Sequence, residues 1–237
     1  MAERLVEYEH AGVRFEALLV ADQKTPGPKP GVLVAHAWGG RSEFEAESAR
    51  RLAELGYVGF ALDMFGKGVR GQNREENAAL IAPLLADRLL LQERIGRAVS
   101  ALQQQSEVDS ERIAAIGYCF GGLCVLDLAR SGAPVRGVVS LHGLFKPPES
   151  VASKPIVARV LALHGHEDPM VPVEAVNALE AELTAAGADW QIHVYGGTMH
   201  AFTNPQANDP EFGTVYNATA DRRSWTATTA FLAEVLA

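Results

Sequence analysis

The run Arg112-Ile113-Ala114-Ala115-Ile116-Gly117-Tyr118-Cys119-Phe120-Gly121-Gly122 decides the fold. An apolar, β-prone stretch over 113–116 meets a turn with glycines on both sides of Cys119, and an apolar helical stretch follows over 120–130. Strand, tight turn and helix in that order is the context in which a nucleophile is presented at the edge of a parallel sheet. The glycines have a physical reason: a residue on so sharp a turn brings its neighbours into close contact, where a Cβ would clash. Cys119 is thereby predicted to be strained and exposed. The Phe120 N–H and the positive end of the helix behind it favour a thiolate and a developing oxyanion. The competing reading is a small buried hydrophobe, the common fate of a free cysteine. No Gly-x-Ser-x-Gly occurs in the chain, so no serine competes for the role.

Outward from this turn, apolar β-prone runs alternate with amphipathic stretches, the pattern of parallel strands joined by helices. Strands are predicted over 5–10, 13–20, 31–35, 58–62, 113–116, 135–141, 157–163 and 190–195, the count of a large central sheet. Helical spacing runs over 43–55, 74–104, 120–130, 173–186 and 222–236, with the second helix expected to break at Pro83. The segment 24–30, KTPGPKP, reads as a surface turn between an N-terminal antiparallel pair and the first inner strand, since too little chain precedes it to form a domain. The fold class is α/β, a mostly parallel sheet of about eight strands flanked by helices. Residues 1–237 are read as one domain, and such a length buries a sizeable core without disulfide or metal.

Composition narrows the function. With 21 Lys+Arg against 29 Asp+Glu, the formal charge of -8 repels phosphate backbones and anionic membrane surfaces, so neither nucleic acid nor membrane is an expected partner. The longest apolar runs fall far short of the roughly 18 to 20 residues of a membrane helix. Residues 1–10 lack the basic start and apolar core of a signal peptide, and two cysteines fit a reducing compartment. A cytoplasmic protein is expected, as a monomer or homodimer, with no cofactor and no metal. Cys124, five residues beyond Cys119, lies on another side of the helix and is expected in the core.

Two further segments sit at the carboxyl ends of predicted strands, where open α/β sheets carry their active face. In His164-Gly165-His166-Glu167-Asp168-Pro169, Asp168 is placed to accept a hydrogen bond from an imidazole and fix its tautomer. Its alternatives are a helix N-cap and, with His164 and His166, a metal cluster. In Gly196-Gly197-Thr198-Met199-His200, small neighbours allow the imidazole to approach a nucleophile. Of seven histidines, His200 alone lies on a glycine-rich loop after the last strand. Nucleophile, acid and base in the order Cys119, Asp168, His200 is the order of α/β-hydrolases. His10, His142 and His193 are expected to be structural.

The strand over 31–35 ends in His36-Ala37-Trp38-Gly39-Gly40-Arg41-Ser42, a loop that in this architecture supplies a second oxyanion N–H. Ala37 is the first choice of donor beside Phe120, and Trp38 the second. His36, Trp38, Arg70, Arg74, Tyr118 and Phe202 are expected to contact substrate, His36 touching the thiol or the substrate itself. Lys67 stands with Arg70 and Arg74 in a loop over 65–83 that is a candidate lid.

Together the Gly-Tyr-Cys-Phe-Gly-Gly turn, the 165–172 stretch and His200-Ala201-Phe202 resemble the dienelactone hydrolase family, over nearly the whole chain. The resemblance implies the α/β-hydrolase fold, the triad Cys119, Asp168 and His200, and a small-molecule ester or lactone substrate. Two positions depart from it. In dienelactone hydrolases proper a glutamate matching His36 pairs with the resting thiol, and an arginine four residues after the catalytic histidine binds the substrate carboxylate. Asn204 stands there in this chain, and an amide cannot reproduce a guanidinium's bidentate grip. The expected activity is ester or lactone hydrolysis through a cysteine acyl-enzyme. The rivals are a thioesterase or other acyl hydrolase on the same residues and, in another class, a thiol redox sensor or a non-catalytic ligand receptor.

Overall fold

A computed structural model describes residues 1–23, 27–149, 151 and 154–237. Eight strands form one sheet: β1 (Ala2–His10), β2 (Val13–Ala21), β3 (Lys29–Ala35), β4 (Val58–Ala61), β5 (Val108–Tyr118), β6 (Gly137–Leu141), β7 (Arg159–Gly165) and β8 (Trp190–Tyr195). They lie in the order β1-β2-β4-β3-β5-β6-β7-β8. β1 and β2 are an antiparallel hairpin turned at Ala11 and Gly12, both at positive φ, and β2 pairs antiparallel with β4. From β4 to β8 every neighbouring pair is parallel.

Burial follows the layers. β4 and β6 are buried at every position, as expected of parallel strands covered on both faces. One core is built from Phe15, Leu33, Phe60, Ile95, Leu123 and Leu128, and the other from Val32, Leu52, Ile116, Leu161 and Leu232. The covering helices are α1 (Glu43–Glu54), α2 (Arg74–Ala86), α3 (Arg88–Gln103), α4 (Phe120–Arg130), α5 (Val173–Ala185) and α6 (Ala218–Val235). A short hairpin of β9 (Asn208–Asp209) and β10 (Thr214–Val215) lies between β8 and α6.

The predicted break at Pro83 is displaced. Pro83 lies inside α2, and its carbonyl accepts the N–H of Asp87, where the helix ends. Asp87 then caps α3 by accepting the Leu90 N–H at 3.0 Å, so a polar cap rather than the proline divides the two helices. Of the predicted turn over 24–30, residues 24–26 lie outside the described residues, and Lys29 and Pro30 already belong to β3. α6 begins at Ala218, four residues earlier than expected, because Asn217 accepts the N–H groups of Thr219 and Ala220.

Candidate active site

β5 delivers Cys119 to the carboxyl edge of the sheet with φ 55° and ψ −115°, a conformation that costs a non-glycine residue about 1–3 kcal/mol. The surroundings hold it there. The Cys119 N–H is shared between the Leu141 carbonyl at 3.0 Å and His142 Nδ1 at 3.2 Å. A Cβ at Gly117 would run into the Gly121 carbonyl, and one at Gly121 into the Ala35 carbonyl, which is why neither position tolerates a side chain. Phe120 is the first residue of α4, so no helical carbonyl accepts its N–H.

β7 ends at Gly165, and the turn beyond it buries Asp168 while leaving His166 and Glu167 exposed. Asp168 Oδ1 accepts the Met170 N–H at 2.8 Å, and Oδ2 lies 2.7 Å from His200 Nδ1. Asp168 is therefore not a helix cap: α5 starts at Val173 with Pro172 before it. The backbone of His200 is fixed by the β9–β10 hairpin, donating to the Gly213 carbonyl at 2.9 Å and accepting from the Val215 N–H at 3.0 Å.

His200 is 1% exposed, and among the described residues its Nε2 has no nitrogen or oxygen partner, only the Cys119 thiol beside it. Burial alone would depress its pKa. The charge of Cys119 nearby and the hydrogen bonds with Asp168 and with Cys119 outweigh burial and raise it to about 10, which favours the imidazolium. His142 behaves oppositely. Burial, and then the charge of His200, whose ring lies 5.1 Å away, hold it well below the usual histidine range. Its Nδ1 accepts from Cys119, so the proton of the neutral ring sits on Nε2 and is donated to Thr203 Oγ1 at 2.8 Å.

Cys119 and His200 open onto a cleft of about 440 Å³, walled by Trp38, Phe44, Ile81, Leu144, Met170 and Phe212. A family model of the dienelactone hydrolase family matches residues 15–236, nearly the whole chain that carries this sheet and cleft. The chain belongs to the dienelactone hydrolase family. It is a dienelactone hydrolase-like hydrolase.

Among solved structures, a dienelactone hydrolase-like promiscuous phosphotriesterase from metagenomic libraries superposes with a TM-score of 0.95 at 36% identity, covering 100% of this chain and 99% of that one. A putative carboxymethylenebutenolidase of Yersinia pestis is 29% identical over 90% of this chain and 81% of its own. An uncharacterised protein of Caenorhabditis elegans is 36% identical over 62% of this chain and 95% of its own.

Within this dienelactone hydrolase scaffold the expected substrate contacts divide. Trp38 and Tyr118 line the cleft, as do Ala37 and Phe120. His36 does not. It is fully buried, its Nε2 accepts the Met64 N–H at 3.0 Å and its Nδ1 donates to the Ala37 carbonyl at 2.7 Å, so both ring nitrogens are spent on backbone. Phe202 is equally buried and packs behind the cleft, against the rings of His142 and Tyr195.

Arg70 and Arg74 also stand outside the cleft wall. Arg70 donates to the Val69 carbonyl at 2.7 Å. Arg74 pairs with Asp209 and lies over the Phe212 ring, which in turn stacks on Trp38 at 5.7 Å. It props the aromatic wall from outside. Cys124 is buried in the core as expected, where burial pushes its thiol well up.

Sequence reasoning passed over Glu45, Thr203 and Phe212 and gave His142 a structural role, and all four lie in the cleft wall. His142 was visible as a strand-end histidine, and Glu45 as the fourth residue of Ser42-Glu43-Phe44-Glu45, the signature of a capping box. No sequence signal aims either side chain.

Proposed function

We propose that the chain hydrolyses carboxylic esters or lactones by covalent catalysis, with Cys119 as nucleophile, His200 as general base and acid, and Asp168 as the group that orients the imidazole. The observation that carries this reading is the buried Asp168–His200 hydrogen bond of 2.7 Å, with the other face of the imidazole beside a cysteine held on a strained turn in the same cleft. The proton of Cys119 passes to His200 Nε2, and the thiolate attacks the substrate carbonyl. The developing oxyanion is held by the Phe120 N–H and a second amide from the loop after β3. As the tetrahedral intermediate collapses, the imidazolium protonates the departing alkoxide. Water, deprotonated by His200, then cleaves the thioester and frees the acid and the thiol.

Ala37 stays the first choice for the second amide, although its N–H leans on Glu45 Oε1 at 3.3 Å. A bond that long yields readily to a charged oxygen, and the alternative, the Trp38 N–H, has no acceptor among the described residues. Iodoacetamide alkylation tests the reading. Loss of activity on para-nitrophenyl acetate should track modification of Cys119, and excess ester should slow both. Full alkylation of Cys119 without loss of activity would overturn it.

A second reading is favoured by the full-length similarity to the promiscuous phosphotriesterase. Among the described residues the cleft wall carries no lysine or arginine, which suits an uncharged triester as well as an ester. Release of para-nitrophenol from a dialkyl aryl phosphate, abolished in Cys119→Ala, would support it.

A further inference from the structure

Glu45 stands in the cleft wall at 2% exposure, and no step of the proposed reaction uses it. Its Oε2 accepts the N–H of Ser42 at 2.8 Å and the Ser42 hydroxyl at 2.7 Å, and its Oε1 accepts the Ala37 N–H at 3.3 Å. A group that receives three donors and offers none is acting as a carboxylate. The capping box at the start of α1 accounts for a glutamate at this position, but such boxes work equally well in solvent. It does not account for a charge in the wall of a cleft whose other walls are largely aromatic and aliphatic, where an anion is costly.

Among the described residues no lysine or arginine lines the cleft to balance it, Asn204 there is neutral, and the imidazolium of His200 is already matched by Asp168 and Cys119. Outside the wall, Arg70 feels Glu45 together with Asp63 and Glu16, and it does not line the cleft but donates to the Val69 carbonyl at 2.7 Å. Arg41 is itself paired with Glu16 at 3.0 Å.

We infer that Glu45 is a specificity-determining residue: its carboxylate, lining the cleft beside the Ala37 amide, excludes substrates that carry an anionic group and reserves the site for uncharged esters and lactones. The inference rests on the ester-hydrolase reading above and narrows its substrate class. Two like charges a few ångströms apart in a partly desolvated cleft repel by enough to lower binding roughly tenfold or more. The effect should fall on KM, because the repulsion acts on the bound ground state and the transition state alike.

The test compares kcat/KM for para-nitrophenyl heptanoate with that for the monoanion mono-para-nitrophenyl adipate. The wild-type protein should favour the neutral ester by at least about tenfold. Glu45→Gln should shrink that ratio by roughly tenfold, through KM for the anion, while Glu45→Asp, which keeps the charge, should preserve it. An unchanged ratio in a folded Glu45→Gln variant would overturn the inference, as would equal use of both esters by the wild type. Should the glutamine variant fail to fold, inhibition of the wild type by hexanamide and hexanoate decides the matter. The amide must bind more tightly, and equal or tighter binding of the carboxylate contradicts the proposal. Absence of hydrolysis of either ester would instead defeat the ester-hydrolase reading itself.

Discussion

The two ends of α4 are built on opposite principles. At its start, Cys119 is held at positive φ, the first amide of the helix is left without a helical acceptor, and the neighbouring His200 Nε2 is buried with only the Cys119 thiol beside it among the described residues. At its end every charge is matched. Asp127 takes a bidentate pair from Arg88 at 2.6 and 2.7 Å and a further contact from Arg130 at 3.2 Å. Arg130, 1% exposed, makes a second bidentate pair with Glu182 and donates to the Phe145 carbonyl at 2.9 Å. The cations also suit the negative end of the helix. Unsatisfied groups at one end are available to a substrate, and saturated groups at the other fix the helix that carries them.

The contrast can be broken from either side. His200→Gln removes the base and should lower kcat/KM for an aryl ester by about 10²–10⁴-fold, with the folded state intact by circular dichroism. Asp127→Ala strips the shared partner from two buried arginines and should destabilise the protein by about 3–5 kcal/mol in urea unfolding. At a denaturant-free temperature well below its transition, the same variant should retain its activity per folded molecule. If Asp127→Ala instead lost activity without losing stability, the division of labour along α4 would be wrong.

A smaller effect sharpens the active end. His200 has its pKa raised from 6.5 to about 10 in the folded protein. The folded state therefore binds the proton more tightly than the unfolded chain. The associated stability is fully present below about pH 6.5 and is lost as pH rises through about 10. Urea midpoints of the wild type and His200→Gln should differ most near pH 6 and converge toward pH 10. A gap that stays constant over that window would show that the imidazolium is not held as described.

The inner strands were legible because they are buried on both faces and so are written as short apolar runs, whereas β1 and β8 at the edges are largely exposed. All eight predicted strands are present, and β8 runs over the predicted 190–195. The two-residue strands β9 and β10 are too short to show a period, yet their hairpin secures the backbone of His200. At the site, residues that owe their place to chain direction could be read: Cys119, Asp168 and His200 each follow the carboxyl end of a strand. Residues that depend on where a side chain points could not. His36 and Ala37 are adjacent, but the first turns into backbone contacts and only the second reaches the cleft. Arg70 and Arg74 looked like anion clamps by charge and position, and their guanidiniums are engaged outside the wall. Among the described residues no helix is long and apolar enough to cross a membrane, in line with the apolar run lengths.

The central claim is that the cysteine on the strained turn is the nucleophile. The rate of para-nitrophenyl acetate hydrolysis by Cys119→Ala tests it most directly, since alanine fits the turn and leaves the Asp168–His200 pair in place. The account predicts a loss on the order of a hundredfold or more with an unchanged fold. Full activity in that variant would contradict it.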